Sequence, residues 1–132
     1  MFNTIRPRKP LSPLEHRVMD LVWSHGPVTA ESVREALAFQ RPLKDSTVRT
    51  ILRRLEQKGY LSHEVEGRTY LYCGLEAPQK VAVGAVRQII DSFCGGSVEQ
   101  LLVGMVDNEV LDGRELERLA QKIARRRDRK GD

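Results

Sequence analysis

A mainly α-helical chain bearing one small β-hairpin is what this 132-residue sequence predicts, on three observations. The run Lys44 to Gly59 is a strongly basic amphipathic helix, and two short arms rich in β-branched and aromatic residues follow it at once. Two capped helical segments precede it, and three apolar-striped segments come after the hairpin. Helix, turn, basic helix and hairpin form the order of a winged helix-turn-helix, here extended by a C-terminal helical dimerisation region.

Residues 1–10 are polar, basic and proline-containing, and are expected to be a disordered arm that touches nucleic acid or only aids solubility. Ser12-Pro13-Leu14-Glu15 opens the first helix: Ser12 as N-cap, Pro13 at the first helical position, Glu15 completing a capping box. Leu14, Val18, Leu21 and Val22 line one face, widened by Met19 and Trp23, until His25-Gly26-Pro27 ends the run. Thr29 caps a positioning helix that extends to about Phe39, with Val33, Ala36 and Leu37 inward. Arg41-Pro42-Leu43 is the next turn, because a residue before proline resists helical geometry.

In the basic helix Val48, Ile51, Leu52 and Leu55 recur at i, i+3, i+4 and i+7, leaving Ser46, Thr47, Arg49, Thr50, Arg53, Arg54 and Lys58 on the other faces. Apolar anchors fix the angle of such a helix, while short hydroxyls and long guanidinium groups reach base edges and phosphates in a major groove. The hairpin reads as Tyr60 to Val65, a turn at Glu66-Gly67, and Arg68 to Cys73. Arg68, just past the tip, is placed to meet a phosphate. The arms are too short to stand alone as a sheet, so they must lean on the helices.

Ala77-Pro78 marks a change of character, and the winged helix is expected over residues 11–75 with a three-helix dimerisation region over 76–124. Val81, Ala85, Val86, Ile89, Ile90 and Phe93 stripe the first of these helices, which stops at Gly95-Gly96. The second, from Ser97 to about Asn108, carries Leu101, Leu102, Met105 and Val106; the third, capped by Asp112, carries Leu116, Leu119 and Ile123 before a basic tail, 125–132. Three apolar stripes exceed what this half can cover by itself. Val86, Ile89, Ile90, Leu101, Leu102, Met105, Leu116 and Leu119 are therefore expected to pair with a second copy, the alternative being that they fold back on the winged helix.

Hydrophobic residues make up 40% and aromatics 5% of the chain, so the core is aliphatic. The formal charge of +4 is unevenly spread: residues 1–75 hold 12 Lys+Arg against 8 Asp+Glu, and residues 76–132 hold 10 of each. A nucleic-acid surface is expected in the first half. Cys73 and Cys94 are too few for a disulfide framework, and no apolar run approaches the ~20 residues of a membrane span, which suits a reduced, cytoplasmic protein without membrane insertion. His16, His25 and His63 fall on different elements with no ligand spacing, and no nucleophile motif or phosphate loop is present. No catalytic residue, metal or cofactor is expected, which excludes the enzyme classes that depend on them.

Four strings in this chain resemble the BlaI/MecI/CopY family of bacterial transcriptional repressors, also called the penicillinase repressor family. They are Leu-Ser-Pro-Leu-Glu with Val-Met-Asp-Leu-Val-Trp (11–15, 18–23), Ser-Thr-Val-Arg-Thr-Ile-Leu-Arg-Arg-Leu (46–55), Phe-Cys-Gly-Gly-Ser (93–97) and Asp-Asn-Glu (107–109). The resemblance covers nearly all of 11–124. It implies a homodimer on a double-stranded operator dyad, with base-reading positions at Thr47, Arg49 and Thr50 and backbone contacts from Ser46, Arg53 and Arg68. It also implies, as a partner, a membrane sensor protease of the same regulatory system. The Asn-Phe bond cleaved in β-lactam-responsive members corresponds to Gly104-Met105 here, and the CxCxxxxCxC cluster of copper-responsive members is absent. Two other readings of the residues stay open: a winged helix used for protein interaction, and a regulator responsive to a small molecule.

Overall fold

The computed structural model describes residues 8–130. Among them the elements run α1 (Pro13–His25), α2 (Ala30–Leu37), α3 (Asp45–Gln57), β1 (Leu61–Glu66), β2 (Thr69–Gly74), α4 (Pro78–Phe93), α5 (Val98–Asp107) and α6 (Gly113–Lys130). The chain divides into two compact units, Met1–Arg87 and Gln88–Asp132. The expected boundary at 75/76 is thus displaced. Pro78 starts the helix expected after Ala77-Pro78, but the units divide inside it, and Val81 on its first turns packs against the core of the first unit.

α1 starts as its sequence requires: Ser12 Oγ accepts from Glu15 N at 3.1 Å while Glu15 Oε1 accepts from Ser12 N at 2.8 Å. Thr29 and Ser32 close an equivalent box on α2. That helix ends at Leu37, two residues short of the expected Phe39, because Gln40 N and Arg41 N both turn back onto Leu37 O. Phe39 is consequently 98% exposed, and Ala36 is exposed as well, contrary to its inward assignment. Val18, Met19, Val22, Val33, Leu37, Val48, Ile51, Leu52 and Leu55 form one core with Tyr60, Leu61 and Tyr72 from the hairpin.

The hairpin is antiparallel, in register from Leu61↔Gly74 to Glu66↔Thr69. Its two-residue turn is Gly67-Arg68, one position later than expected. Gly67 takes φ 65° at the first loop position, where a type II′ hairpin turn asks for glycine. Tyr72 also exchanges backbone hydrogen bonds with Val28, N to O at 2.9 and 2.7 Å, so the wing is pinned to the loop between α1 and α2.

Residues 8–10 correct the expected disordered arm, of which residues 1–7 lie outside the described residues. Arg8 donates from Nε to Gly59 O at 2.9 Å and from Nη2 to Glu76 Oε1 at 2.7 Å. Tyr60 Oη donates to Lys9 O at 2.6 Å, and Lys58 Nζ to Pro10 O at 3.0 Å. These bonds seat the segment on the end of α3 and the root of the wing.

In the second unit the Gly95-Gly96 turn, with φ of 58° and 83°, ends α4, and Ser97 caps α5 through Gln100 N. α6 continues to Lys130, so the expected tail from 125 is helix. Arg and Lys have good helix propensity, and acidic residues at its start with basic ones at its end suit the helix dipole. Of the residues assigned to self-association, Ile90 is buried, Val86 and Ile89 are 43% and 44% exposed, and Leu101, Leu102, Met105, Leu116 and Leu119 are half-buried. Phe93, Val98, Val103, Val110 and Ile123 are also exposed. Among the described residues, no single helix is long and apolar enough to cross a membrane.

Candidate nucleic-acid interface

α3 is amphipathic about its whole length: Val48, Ile51, Leu52 and Leu55 are buried, and the opposite side is polar. At 100° per residue its polar side divides into two flanks. Arg49, Arg53 and Glu56 occupy the flank toward the wing, and Thr47, Thr50 and Arg54 the other, with Ser46 and Gln57 between them. The predicted set Ser46, Thr47, Arg49, Thr50 and Arg53 therefore shares one helix face without pointing in one direction. Arg68, at the hairpin turn, is exposed and lies outside the cleft that the two arginines line.

Two of these side chains are held in place. Arg49 Nε donates to Asp45 Oδ2 at 2.8 Å, one helical turn back. The hydrogen bond and charge of Asp45 raise the guanidinium's hold on its proton, so it stays a cation. Thr50 Oγ1 donates to Ser46 O at 2.9 Å, which holds its side chain against the preceding turn of its own helix. Arg53 makes no hydrogen bond or ion pair among the described residues.

Between α3 and the wing lies a cleft of about 420 Å³, walled by Arg49, Arg53, Glu56 and Gln57 on one side and His63, Tyr70 and Tyr72 on the other. His63 stacks on Tyr70 with ring centroids 4.2 Å apart and planes 9° from parallel. Its Nδ1 lies 2.7 and 3.0 Å from the two carboxylate oxygens of Glu56, which fixes Nδ1 as the protonated nitrogen because a carboxylate only accepts. Tyr72 is buried, which pushes its phenol above the ordinary range, with Glu56 adding to the effect. It therefore stays a neutral hydroxyl.

The wing side of this cleft is absent from the sequence-based set. Only one signal pointed to it: Tyr70 and Tyr72 share a strand face at period two, and His63 pairs across the ladder with Tyr72. Among the described residues no three His, Cys, Asp or Glu side chains gather in a way that could hold a metal ion.

Residues 11–125 match the penicillinase repressor family. The chain belongs to that family. Among curated relatives it is 26% identical over 121 residues to the penicillinase repressor of Bacillus licheniformis, covering 91% of this chain and 94% of that one. It is 31% identical over 107 residues to an uncharacterised 16.5 kDa protein of Latilactobacillus sakei, 81% of this chain and 73% of the relative. The methicillin resistance regulatory protein MecI of Staphylococcus aureus strain N315 is 24% identical over 83% of this chain and 89% of its own length. Among solved structures, the DNA-binding domain of the repressor BlaI superposes with a TM-score of 0.51 at 28% identity, over 57% of this chain and 92% of that domain. As a penicillinase repressor family member the chain is a winged-helix transcriptional regulator of the repressor type, not an enzyme.

Proposed function

We propose that this penicillinase repressor family protein is a sequence-specific repressor that binds a palindromic duplex operator as a homodimer, in the cytoplasm. The observation that carries the reading is the exposed polar side of α3, with its hydroxyls, its guanidinium groups and the wing cleft, held on a fully buried apolar stripe. Arg49 suits bidentate pairing with a guanine edge, and Thr47 and Thr50 suit a thymine methyl or a phosphate. Ser46, Arg53 and Arg68 serve the backbone and set register rather than sequence.

Dimerisation is supported by the second unit, where the large side chains of Ile89, Phe93, Val98, Val103 and Ile123 stay exposed in the single chain. Such a set is covered most economically by its twofold copy. Two winged helices then read half-sites about one helical turn, ~10 bp, or a multiple apart. Relief of repression by proteolysis in α5, by a sensor protease of the same system, is the finer part of the reading. Gly104 lies in the interior of that helix, where glycine costs up to ~1 kcal/mol relative to alanine, and a cut there would sever the end of α5 and all of α6, with their share of the dimer contacts, from the DNA-binding unit.

The test is selection of duplexes from a random pool by the purified chain, followed by binding of the winner at two salt concentrations. A palindromic winner whose affinity falls steeply with salt is the expected result. Absence of any enriched sequence would shift the assignment to a protein-interaction module. Unchanged chain length in cells after every inducing treatment would remove the proteolytic step alone.

A further inference from the structure

The cleft between α3 and the wing holds a carboxylate, Glu56, on the side of the molecule that the proposed function turns toward a polyanion. Left bare, it would repel DNA. It is not bare: His63 Nδ1 contacts both of its oxygens, at 2.7 and 3.0 Å, and the stacking of His63 on Tyr70 holds the imidazole in that position. Arg49 and Arg53 stand on the same wall, Arg53 with no partner among the described residues.

Resting on the reading above, we propose that this cleft seats the sugar-phosphate strand between two grooves of the duplex, and that His63 is a positioning residue that masks Glu56 there. A helix in the major groove with a hairpin beside it must straddle one phosphate ridge, and the cleft is the space between them. Arg53 supplies the cation for that ridge, while Arg49, bonded through Nε to Asp45, keeps its outer nitrogens for a guanine edge. Tyr70, 46% exposed, presents a ring edge and a hydroxyl suited to deoxyribose and phosphate oxygen. Glu56 serves the wing, not the DNA: it ties α3 to β1 through His63.

The experiment uses the full chain and a mixed-sequence duplex of about 30 bp, roughly three helical turns, at low salt, because a phosphate seat is independent of sequence. His63→Phe keeps a ring on Tyr70 but removes the donor. It is expected to weaken binding about tenfold, with the deficit shrinking as salt screens the exposed carboxylate. Adding Glu56→Gln to that variant is expected to restore binding to within about threefold of the parent. Glu56→Gln alone should bind as tightly as the parent or tighter, and its rescue of His63→Phe is the result that a merely structural tie between helix and wing would not produce, because neither double-variant side chain can remake that tie.

Unchanged binding by His63→Phe, failure of Glu56→Gln to rescue it, or weakened binding by Glu56→Gln alone would each overturn the proposal. Those outcomes leave the repressor reading standing as long as the parent chain binds duplex with a steep salt dependence. A parent chain without salt-dependent duplex binding would overturn both.

Discussion

Lys58 Nζ donates to Glu15 Oε1 at 2.7 Å, joining the residue after the last turn of α3 to the capping box of α1, 43 positions away in sequence. Glu15 is 7% exposed and Lys58 24% at the side chain, so the pair sits at the edge of the core rather than in open solvent. The same carboxylate oxygen caps Ser12 N, and the same ammonium holds Pro10 O. The orientation of α3 thus depends on a polar joint as well as on its apolar stripe. Removing only the cation strands a buried carboxylate: Lys58→Met should destabilise the first unit by ~2–3 kcal/mol. Adding Glu15→Gln, which still accepts from Ser12 N, should recover about half of that loss. Urea denaturation of the three variants measures both quantities. Equal stability of Lys58→Met and the parent would show that the joint contributes nothing.

Acid should act on the same surface. Burial pushes Glu15 up, but the hydrogen bonds from Lys58 and Ser12 and the Lys58 charge outweigh it, and its folded value lies below the ordinary 4.5. Glu76 is lowered by its hydrogen bond from Arg8 and by the charges of Arg8 and Lys80. A carboxyl with a depressed folded pKa binds fewer protons than in the unfolded chain, so its contribution is fully present above about 4.5 and is lost as pH falls through the folded value. Thermal unfolding followed from pH 7 downward should hold steady and then fall below that range. In Glu15→Gln the fall should be shallower, and an equal slope in the two proteins would mean that other carboxylates carry the acid sensitivity.

Arg49 and Arg53 share a flank of α3 but should differ in what they report. Arg49→Ala should cost ~1–3 kcal/mol of specific binding and relax the sequence preference, whereas Arg53→Ala should weaken all duplexes evenly and lower the salt slope by ~1. Competition binding against the selected operator and a scrambled duplex separates the two. If Arg49→Ala kept both affinity and preference, the assigned orientation of α3 in the groove would be wrong.

Self-association gives a further expectation. Ile89, 44% exposed on α4, should tolerate a carboxylate in an isolated chain but not in a twofold interface. Ile89→Glu should therefore shift the protein to monomer in sedimentation while the first unit keeps its thermal transition. Operator affinity should fall by roughly 100-fold as the two half-sites cease to be linked. A variant that remained dimeric would place the interface elsewhere.

Element identity was largely legible in the residues because each signal is local. Ser12, Thr29 and Ser97 cap helices within three positions of themselves, the apolar stripe of α3 repeats within the helix, and Gly67 supplies the left-handed backbone of its own turn. Boundaries were less legible where local signals competed. Phe39 looked like a continuation of α2 but is cut off by backbone bonds to Leu37, and the Arg-rich end of α6 looked like a tail but has the propensity to stay helical. The sequence by itself therefore determined the order of elements, the buried face of α3 and the basic character of its outer face. Only the tertiary structure decided that residues 8–10 are strapped down, that Lys58 meets Glu15, and that His63 covers Glu56 in a cleft between helix and wing. The reason is physical: periodicity records which side chains leave water, but a polar side chain chooses its partner by proximity in space. Proximity across 43 or 51 residues is set by packing, not by spacing.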